Sequence, residues 1–377
     1  MERGNQYLKT IDRYIGIPFI WFLGLLRPRN RKIPLQINRI AIIKGAAIGD
    51  TVLLSAIIQD IRMQYPDVEL LFFCGKTCVD TAKMIPGLSK VIFIPTTRPF
   101  EAITILRKAG LFDLVIDTGP WARLEAIFAY FTKGNYKIGF RSLKQYRHYG
   151  YDLSVEHSNQ QHELENNRDL IRPFILECNS LPILTPSSIE SKIICGQVGL
   201  AKPFWILHPW SGGFKGHYKE WLPERWVELA IWLVAQDYEV AFSGAKADKR
   251  QTDILVDTCT SRGVSVINLS GKTSLGELTA LIRASQGVVS VNTGILHIAA
   301  ALGAPVIGLN GPVPTSRWGA ISAQAINIDA QEPGCGYIHL GFEYPSTPPN
   351  CMASINTTDV KTAILHLMSR EKLNSSS

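Results

Sequence analysis

Several common sequence signals are missing from this chain of 377 residues. Its seven cysteines are odd in number and include no CxxC pair, so neither a disulfide framework nor a zinc site of the usual spacing is predicted. The apolar run from Tyr14 to Leu26 falls short of the roughly 20 residues that cross a bilayer. No small-residue cleavage site of the secretory type separates it from the basic residues that follow. These absences favour a cytoplasmic, reducing location.

What the chain does have is an excess of positive charge. Lysine and arginine together number 39 against 32 aspartates and glutamates, which gives a net charge of +7. Such a charge favours an acidic partner, and a nucleic acid, an anionic membrane or a phosphorylated small molecule would each supply one. The length predicts two domains at a prior of about 150 residues each, and the 46% apolar share allows a large core.

Residues 1–35 are predicted to form an amphipathic and basic amino-terminal segment. Phe19, Trp21 and Phe22 precede the cationic run Arg27 to Lys32, and aromatic residues beside clustered positive charge suit the surface of an anionic membrane. A helix that docks on the protein's own core is an equally supported alternative.

Two series of alternating strand and helix patterns follow, and they predict an α/β protein. The first series predicts a domain at 36–180, with strands at 40–43, 68–74, 91–95 and 114–117 and helices at 51–65 and 103–109. A linker rich in Pro and Ser is predicted at 179–196. The second series predicts a domain at 197–355, with strands at 205–207, 238–242, 264–269, 287–291 and 306–309 and helices at 223–236, to about 259, 274–284 and 295–302.

Residues 130–151 combine basic and aromatic side chains, including Arg141 and Lys144. The pattern is typical of a nucleic-acid surface, of a pocket for a phosphorylated sugar acceptor, or of a solvated basic loop. Nucleic-acid binding has the least support of these, and we expect no nucleic-acid partner. The His- and Glu-rich stretch 154–166 lacks fixed ligand spacing, so no metal is assigned to it.

The stretch 287–312 reads as strand, tight turn, helix, tight turn and strand, which is a βαβ unit. Its Asn292-Thr-Gly294 turn lies at the carboxyl end of a strand and at the amino terminus of a helix. Unpaired N–H groups at such a terminus bind anions, and a diphosphate would suit them. The alternative is that Thr293 only caps the helix.

Four stretches together resemble glycosyltransferase family 9, the bacterial heptosyltransferase-like enzymes. The first is Ile40-Ala-Ile-Ile-Lys-Gly-Ala-Ala-Ile-Gly-Asp-Thr-Val-Leu-Leu54. The second is His208-Pro-Trp-Ser-Gly-Gly with Lys219-Glu-Trp-Leu-Pro223, the third runs from Leu269 to Leu278, and the fourth joins Ser290-Val-Asn-Thr-Gly-Ile-Leu-His297 to Gly311 through Gly319. Their order and spacing make the match far more specific than one motif would be.

The resemblance implies a GT-B architecture, in which two Rossmann-like doubly wound domains face each other across a cleft. It implies an inverting transferase with a nucleoside-diphosphate sugar donor, typically ADP-heptose, and an acceptor in lipopolysaccharide core assembly or another cell-envelope glycan. No metal or other cofactor is expected. The carboxyl-terminal segment 356–377 would contain the family's last helix, at Thr358 to Leu367, which often returns to the first domain.

The resemblance also assigns catalytic roles. Asp50 matches the position of the family's base, which would take the proton of the acceptor hydroxyl. Lys219 matches the lysine that would clamp the departing diphosphate, with Lys215 as a competitor for that role. The backbone N–H groups of Thr293 and Gly294 would add fixed positive partial charge.

The remaining candidates are assigned by position. Donor contacts are predicted for Ser211, Asp248, Asn292 and His297, and acceptor contacts for Lys44, Arg141 and Lys144. Asn292 departs from the family, which usually has an aspartate before Thr-Gly, and the change removes a negative charge beside the diphosphate. This departure suggests an alternative function, a catalytically silent sugar-nucleotide-binding protein on the same fold.

Overall fold

The computed structural model describes residue 10 and residues 12–28, 31–213 and 215–375. Parts of the predicted terminal segments, at 1–9, 11, 29–30 and 376–377, lie outside these residues. The chain divides into two compact units, residues 1–181 and residues 182–377. Each unit is built on its own six-stranded parallel sheet, which confirms the predicted α/β class and its two doubly wound halves.

The first unit has the strand order β3-β2-β1-β4-β5-β6. Its strands are β1 (Arg39–Lys44), β2 (Glu69–Cys74), β3 (Lys90–Phe93), β4 (Phe112–Asp117), β5 (Gly134–Arg141) and β6 (Leu153–Glu156). Its helices are α1 (Ile17–Leu25), α2 (Ile48–Gln64), α3 (Val79–Lys83), α4 (Pro99–Lys108), α5 (Arg123–Phe131) and α6 (Glu163–Ile171). In each of the two central strands, β1 and β4, five of the six residues are buried and four are apolar, as expected of strands covered on both faces.

The second unit has the matching order β12-β11-β10-β7-β8-β9. Its strands are β7 (Phe204–His208), β8 (Glu239–Phe242), β9 (Ile267–Asn268), β10 (Gly287–Val291), β11 (Val306–Asn310) and β12 (Ala325–Asp329). Its helices are α7 (Ser191–Val198), α8 (Pro223–Ala235), α9 (Lys249–Ser261), α10 (Leu275–Ala284), α11 (Gly294–Ala301), α12 (Thr315–Trp318) and α13 (Thr357–Ser375). Proline at the first position of α8 and a Ser274–Glu277 capping box at α10 fix two of the helix starts.

The basic stretch 130–151 is not one exposed surface. Strand β5 runs through it, and Lys137 and Arg147 are buried within the first unit. Burial lowers the pKa of Lys137 to about 8, and its ammonium lies 5.2 Å from the centre of the Tyr130 ring. The long stems of basic residues pack well on apolar surface, which is why a charge pattern alone did not reveal the strand.

Three other features differ from the sequence-based expectations. Residues 182–196 belong to the second unit, where Leu184 donates its backbone N–H to Ala301 and α7 begins at Ser191. Helix α13 buries Val360, Ile364 and Leu367 in the core of the same unit. A disulfide joins Cys335 to Cys351, and chain spacing could not show it because a folded loop of the second unit brings the two residues together.

The amino-terminal helix α1 consists of apolar residues and glycine only. Ile20 and Leu23 are buried, while the aromatic residues Phe19, Trp21 and Phe22 are exposed. Across the described part of the chain, no helix has both the length and the hydrophobicity needed to traverse a membrane.

Candidate active site

The first unit reverses its strand order between β1 and β4. From β1 the chain proceeds outward to β2 and β3, and from β4 it proceeds in the other direction to β5 and β6. In open parallel sheets, such a switch point leaves a crevice at the carboxyl ends of the strands, where ligands bind. The loops that follow Lys44 and Asp117 border this crevice.

Asp50 lies in the first turn of α2, directly after the β1 loop. Asp50 is 5% exposed, and Lys44 is 3% exposed. The Oδ1 of Asp50 lies 3.7 Å from the Nζ of Lys44. The same Nζ donates to the carbonyl oxygen of Thr118 at 3.5 Å. The structure therefore brings two predicted residues together: the ammonium of Lys44 faces the carboxylate of the candidate base.

The loop before Asp50 is held in an unusual conformation. Ala47 has a φ of 81°, a region that costs a residue with a side chain on the order of 1–3 kcal/mol. Its carbonyl accepts hydrogen bonds from the backbone N–H of Thr51 at 3.1 Å and from the hydroxyl of Thr51 at 2.8 Å. Such strain persists only where the surrounding structure fixes the loop.

The other two predicted acceptor contacts lie elsewhere in the first unit. Arg141 ends β5, two strands away from β1, and its exposed side chain forms an ion pair with Glu156 at 3.2 Å. Lys144 is exposed in the turn that follows. Neither is brought to Asp50 by a contact that the structure shows, so their acceptor role stays a prediction.

The stretch 154–166 is organised by internal hydrogen bonds. His157 Nε2 lies 2.9 Å from a Glu163 carboxylate oxygen, and both side chains are buried. His162 caps α6 by accepting from the backbone N–H of Leu164. These contacts give the histidines structural roles in the first unit.

The second unit has its own switch point, between β10 and β7. Thr293 is the residue before α11, and its side chain makes no capping hydrogen bond. A helix-capping hydrogen bond therefore does not explain why threonine occupies position 293. Because Thr293 and Gly294 are only partly buried, their backbone N–H groups form a helix terminus of the kind that binds anions.

The side chain of Asn292 acts as a hydrogen-bond donor. Its Nδ2 donates to Asn310 Oδ1 at 2.7 Å and to the carbonyl oxygen of Trp318 at 2.8 Å. A carboxylate at this position would have no proton to donate and would face two oxygen acceptors. The amide therefore ties the ends of β10 and β11 to α12, and this contact explains why asparagine suits the position in this chain.

The loop after β7 carries a buried polar group next to the predicted phosphate contacts. The hydroxyl of Ser211 is buried and has no hydrogen-bond partner within the described ranges, and buried hydroxyls in proteins are nearly always partnered. Its backbone N–H donates to Glu220 at 3.1 Å, whose pKa is raised by burial. Ser211 is thus suited to donate to a bound phosphate.

Two lysines compete for the phosphate role in this loop. Lys215 has a φ of 54°, and its ammonium lies 5.2 Å from the ring centre of Tyr344 and 5.8 Å from that of Tyr218. Lys219 ends the following short helical turn and is partly exposed. The aromatic contacts of Lys215 do not decide between the two lysines, so the assignment of the diphosphate contact to Lys219 stays a prediction.

The last two predicted donor contacts are placed differently. Asp248 accepts a hydrogen bond from the backbone N–H of Ala245 at 2.7 Å and is partly exposed. His297 is 4% exposed, on the buried side of α11. Direct contact with a ligand fits Asp248 better than His297.

Known proteins support the resemblance. The profile of glycosyltransferase family 9 (heptosyltransferase) matches residues 105–336. The chain belongs to this family. It is therefore a glycosyltransferase, and its two parallel sheets with flanking helices agree with the fold that this family implies.

Individual relatives of this family 9 enzyme are distant in sequence. Lipopolysaccharide core heptosyltransferase OpsX of Haemophilus influenzae is 26% identical over 297 residues, which cover 74% of this chain and 81% of that protein. The structure of ADP-heptose lps heptosyltransferase II of E. coli matches with a TM-score of 0.73 and 19% identity, covering 89% of this chain and 99% of that one. E. coli heptosyltransferase WaaC with ADP-2-deoxy-2-fluoro heptose matches with a TM-score of 0.64 and 18% identity, covering 87% and 99%.

Sequence reasoning missed a buried polar network beneath the first switch point of this enzyme. Asp117 accepts hydrogen bonds from Arg147 and from the hydroxyl of Tyr151, and all three side chains are buried. Glu125 accepts from the backbone N–H of Gly45 at 2.7 Å. Burial and the nearby Asp117 carboxylate raise the pKa of Glu125. The available signal was an acidic residue among the apolar and aromatic residues 124–131 of helix α5.

Proposed function

We propose that this glycosyltransferase is an inverting enzyme that moves a heptose or a related sugar from ADP-heptose to a hydroxyl of a lipopolysaccharide-core acceptor. The names of the relatives support this assignment, since they include lipopolysaccharide heptosyltransferases and one solved with a fluorinated ADP-heptose. The observation that carries it is Asp50, a buried carboxylate paired with Lys44 at the first switch point.

In the proposed reaction, Asp50 accepts the proton of the acceptor hydroxyl as that oxygen attacks the anomeric carbon. The bond from this carbon to the diphosphate breaks, and the leaving group departs as ADP. Lys44 holds the Asp50 carboxylate in place before the proton arrives, because its ammonium lies 3.7 Å from the carboxylate oxygen.

The second unit would bind the donor. Lys219 offers an ammonium to the diphosphate, Ser211 offers a hydroxyl, and the helix terminus at Thr293 and Gly294 offers backbone N–H groups. These groups act most strongly as negative charge develops on the leaving oxygen. Asp248 would accept a hydrogen bond from a ribose hydroxyl.

A donor screen tests this proposal. The purified protein is incubated with ADP-heptose, ADP-glucose, UDP-glucose and GDP-mannose together with a deacylated lipopolysaccharide-core acceptor, and released nucleotide and glycosylated product are measured. We expect release with ADP-heptose above the other donors, and an inverted anomeric configuration in the product. Indifference to every donor would reject the proposal, and donor binding without turnover would favour a catalytically silent protein.

We further propose that the first unit binds the cytoplasmic face of an anionic membrane through a surface formed by residues 12–26, which include α1, and the turn at 142–146. Arg123 joins these two segments: its guanidinium pairs with Asp12 at 2.9 Å and donates to Gln145 at 2.7 Å. The exposed apolar side chains of this surface are Tyr14, Ile15, Phe19, Trp21, Phe22, Leu25, Leu26, Leu143 and Tyr146.

The chemistry of this surface suits a lipid interface. Trp21 is 48% exposed and Phe22 is 53% exposed, although both sit on a helix that is docked by Ile20 and Leu23. Arg13 and Lys144 are exposed in the same segments. Aromatic residues bind at the headgroup level, and each nearby cation adds about 1 kcal/mol with anionic lipid.

Vesicle co-sedimentation tests the surface. We expect the protein to bind vesicles that contain phosphatidylglycerol, and a Trp21→Ser, Phe22→Ser variant to lose at least about tenfold in affinity, since aromatic burial is removed. Phe100→Ser is a matched control, because Phe100 is 85% exposed on α4 of the same unit and should leave binding unchanged. Equal binding by all three proteins would reject this surface.

A further inference from the structure

Glu125 occupies a place at the first switch point that the proposed reaction does not use. It lies on α5, after β4, and its side chain reaches the β1 loop 80 residues earlier in the chain, where its Oε1 accepts from the backbone N–H of Gly45 at 2.7 Å. Gly45 is only five residues from Asp50. The carboxyl group of Glu125 thus connects one wall of the crevice to the loop that carries the candidate base.

Two glycines make room for this carboxyl group. A Cβ placed on Gly45 would lie 2.1 Å from Glu125 Oε1, and a Cβ placed on Gly119 would lie 1.4 Å from Glu125 Oε2. The side chain is therefore enclosed between the loop after β1 and the loop after β4. A residue larger than glycine at position 119 would displace this carboxyl group.

The β1 loop needs such a support. Ala47, two residues beyond Gly45, has the strained φ of 81°, and the Gly45 carbonyl packs so closely on Gly75 that a Cβ there would lie 2.0 Å away. Asp117 fixes the neighbouring loop by accepting from Gly119 N–H at 3.0 Å. The hydrogen bond from Gly45 to Glu125 is the corresponding restraint on the β1 loop, and it lies two residues before the strained Ala47.

From this geometry we infer that Glu125 is a positioning residue for the transfer reaction: its hydrogen bond to Gly45 holds the strained loop so that the carboxylate of Asp50 points at the acceptor hydroxyl. The inference rests on the proposed role of Asp50 as base. A displacement of about 1 Å at a reacting group costs up to 100-fold in rate, so loss of this tie should lower kcat and leave donor binding intact.

The experiment compares Glu125→Ala, Glu125→Gln and a control in the full-length enzyme. Glu163→Ala is the control, because Glu163 is also a buried carboxylate of the first unit with hydrogen-bond partners. Hydrogen exchange of residues 44–50 is measured by mass spectrometry, and kcat and the donor KM are measured with the most active donor. The thermal midpoint of each variant separates loss of folding from loss of position.

We expect Glu125→Ala to speed exchange of residues 44–50 and to lower kcat about 10- to 100-fold with the donor KM within about twofold. Glu125→Gln, whose amide oxygen still accepts from Gly45, should retain kcat within about threefold. The control should change neither exchange at 44–50 nor kcat. In an Asp50→Ala background, Glu125→Ala should lower kcat no further, because residues that act as a unit are not additive.

Unchanged exchange at residues 44–50 in Glu125→Ala overturns the inference, and so does a full additional loss of kcat in the Asp50→Ala background. If Glu125→Ala does not fold, Glu125→Gln provides the test. The glutamine oxygen still accepts from the backbone N–H of Gly45, so a Glu125→Gln variant as slow as Asp50→Ala overturns the inference. If Asp50→Ala keeps the parent's kcat, Asp50 is not the base. That result rejects the proposed function of Asp50, and with it the positioning role of Glu125.

Discussion

At the switch point of the first unit the loops are held by carboxyl, lysine and arginine side chains, whereas the ends of β7, β8, β10 and β11 in the second unit are joined by amide, hydroxyl and imidazole groups. Lys44, Asp117, Glu125 and Arg147 are all buried in the first unit. In the second, Asn292 donates to Asn310, and Ser243 pairs with His208. The two sheets share one strand order, so the difference lies in chemistry and not in topology.

This contrast matches the two halves of a sugar transfer. A proton acceptor benefits from neighbours that hold its carboxylate in a fixed orientation, and Lys44 lies beside Asp50 in a position to do so. A diphosphate site benefits from the absence of competing negative charge, so that lysine and helix-terminal N–H groups act on the phosphate alone. The amides of Asn292 and Asn310 meet this requirement beside the helix terminus at Thr293.

The largest expected effect is at the charged site. Asp50→Ala should lower kcat by about 1,000-fold, because a positioned general base contributes roughly 10²–10⁴ in rate, and ADP binding measured by calorimetry should stay within about twofold. Asp60→Ala is unsuitable as its control, since Asp60 accepts from the backbone N–H of Ser180. The exposed Asp67→Ala serves better, and a parental rate for Asp50→Ala would remove the contrast between the two units.

Lys219→Ala should weaken donor binding and slow transfer, with kcat/KM for the donor lower by about 100-fold, because a clamp on the leaving diphosphate acts most strongly in the transition state. Lys215→Ala should change it by no more than about threefold, since its ammonium is held against the rings of Tyr218 and Tyr344. Steady-state kinetics of both variants check this. A larger loss for Lys215→Ala would reverse the assignment within this loop.

The stability of the second unit should fall in acid because of the buried His208. Burial holds the pKa of His208 at about 4, below its ordinary 6.5, and the Ser243 bond only partly opposes this. As pH falls below about 6.5 the unfolded chain takes up a proton that the folded chain does not. Between pH 7 and pH 5 the folded state should therefore lose about 2 kcal/mol through this group.

Urea unfolding of the parent and of His208→Asn at pH 7 and pH 5 measures that loss as a difference between the two proteins. The variant should lose less stability over this interval than the parent, because asparagine does not titrate. Equal losses in both proteins would show that His208 does not set the acid limit of the second unit.

The smallest effect in this comparison of the two switch points is expected for Asn292→Asp. It replaces two donated hydrogen bonds by a carboxylate that faces Asn310 Oδ1 and the Trp318 carbonyl, and it adds negative charge beside the diphosphate site. We expect about a tenfold loss in donor affinity, equivalent to one or two weakened polar contacts. Asn159→Asp is the surface control, and unchanged affinity in Asn292→Asp would show that the site tolerates charge.

The parts of this structure that the sequence predicted are those where a local pattern decides. Strand β10 runs from Gly287 to Val291 as predicted, and α11 begins one residue before the predicted Ile295, because β-branched residues, a turn and a helix follow each other without interruption. The position of Asp50 at the start of α2 was predictable for the same reason.

Local sequence patterns could not predict the contacts between residues that are distant in the chain. Nothing in the spacing of Glu125 and Gly45 indicates that an acid on α5 accepts from a backbone 80 residues away. The Cys335–Cys351 disulfide and the burial of Arg147 against Asp117 depend on the folded path of the chain in the same way. A polar residue within an apolar helix signals only that some partner exists.

The enclosure of the Glu125 carboxyl group also constrains how the sequences of this family evolve. Positions 45, 119 and 125 are coupled, because a side chain at 45 or 119 would displace the carboxyl group of the acid at 125. Relatives with alanine or serine at either glycine position should carry a shorter residue at 125. Those three positions should therefore covary across the family, and a phylogenetic tree should show them replaced together within single lineages.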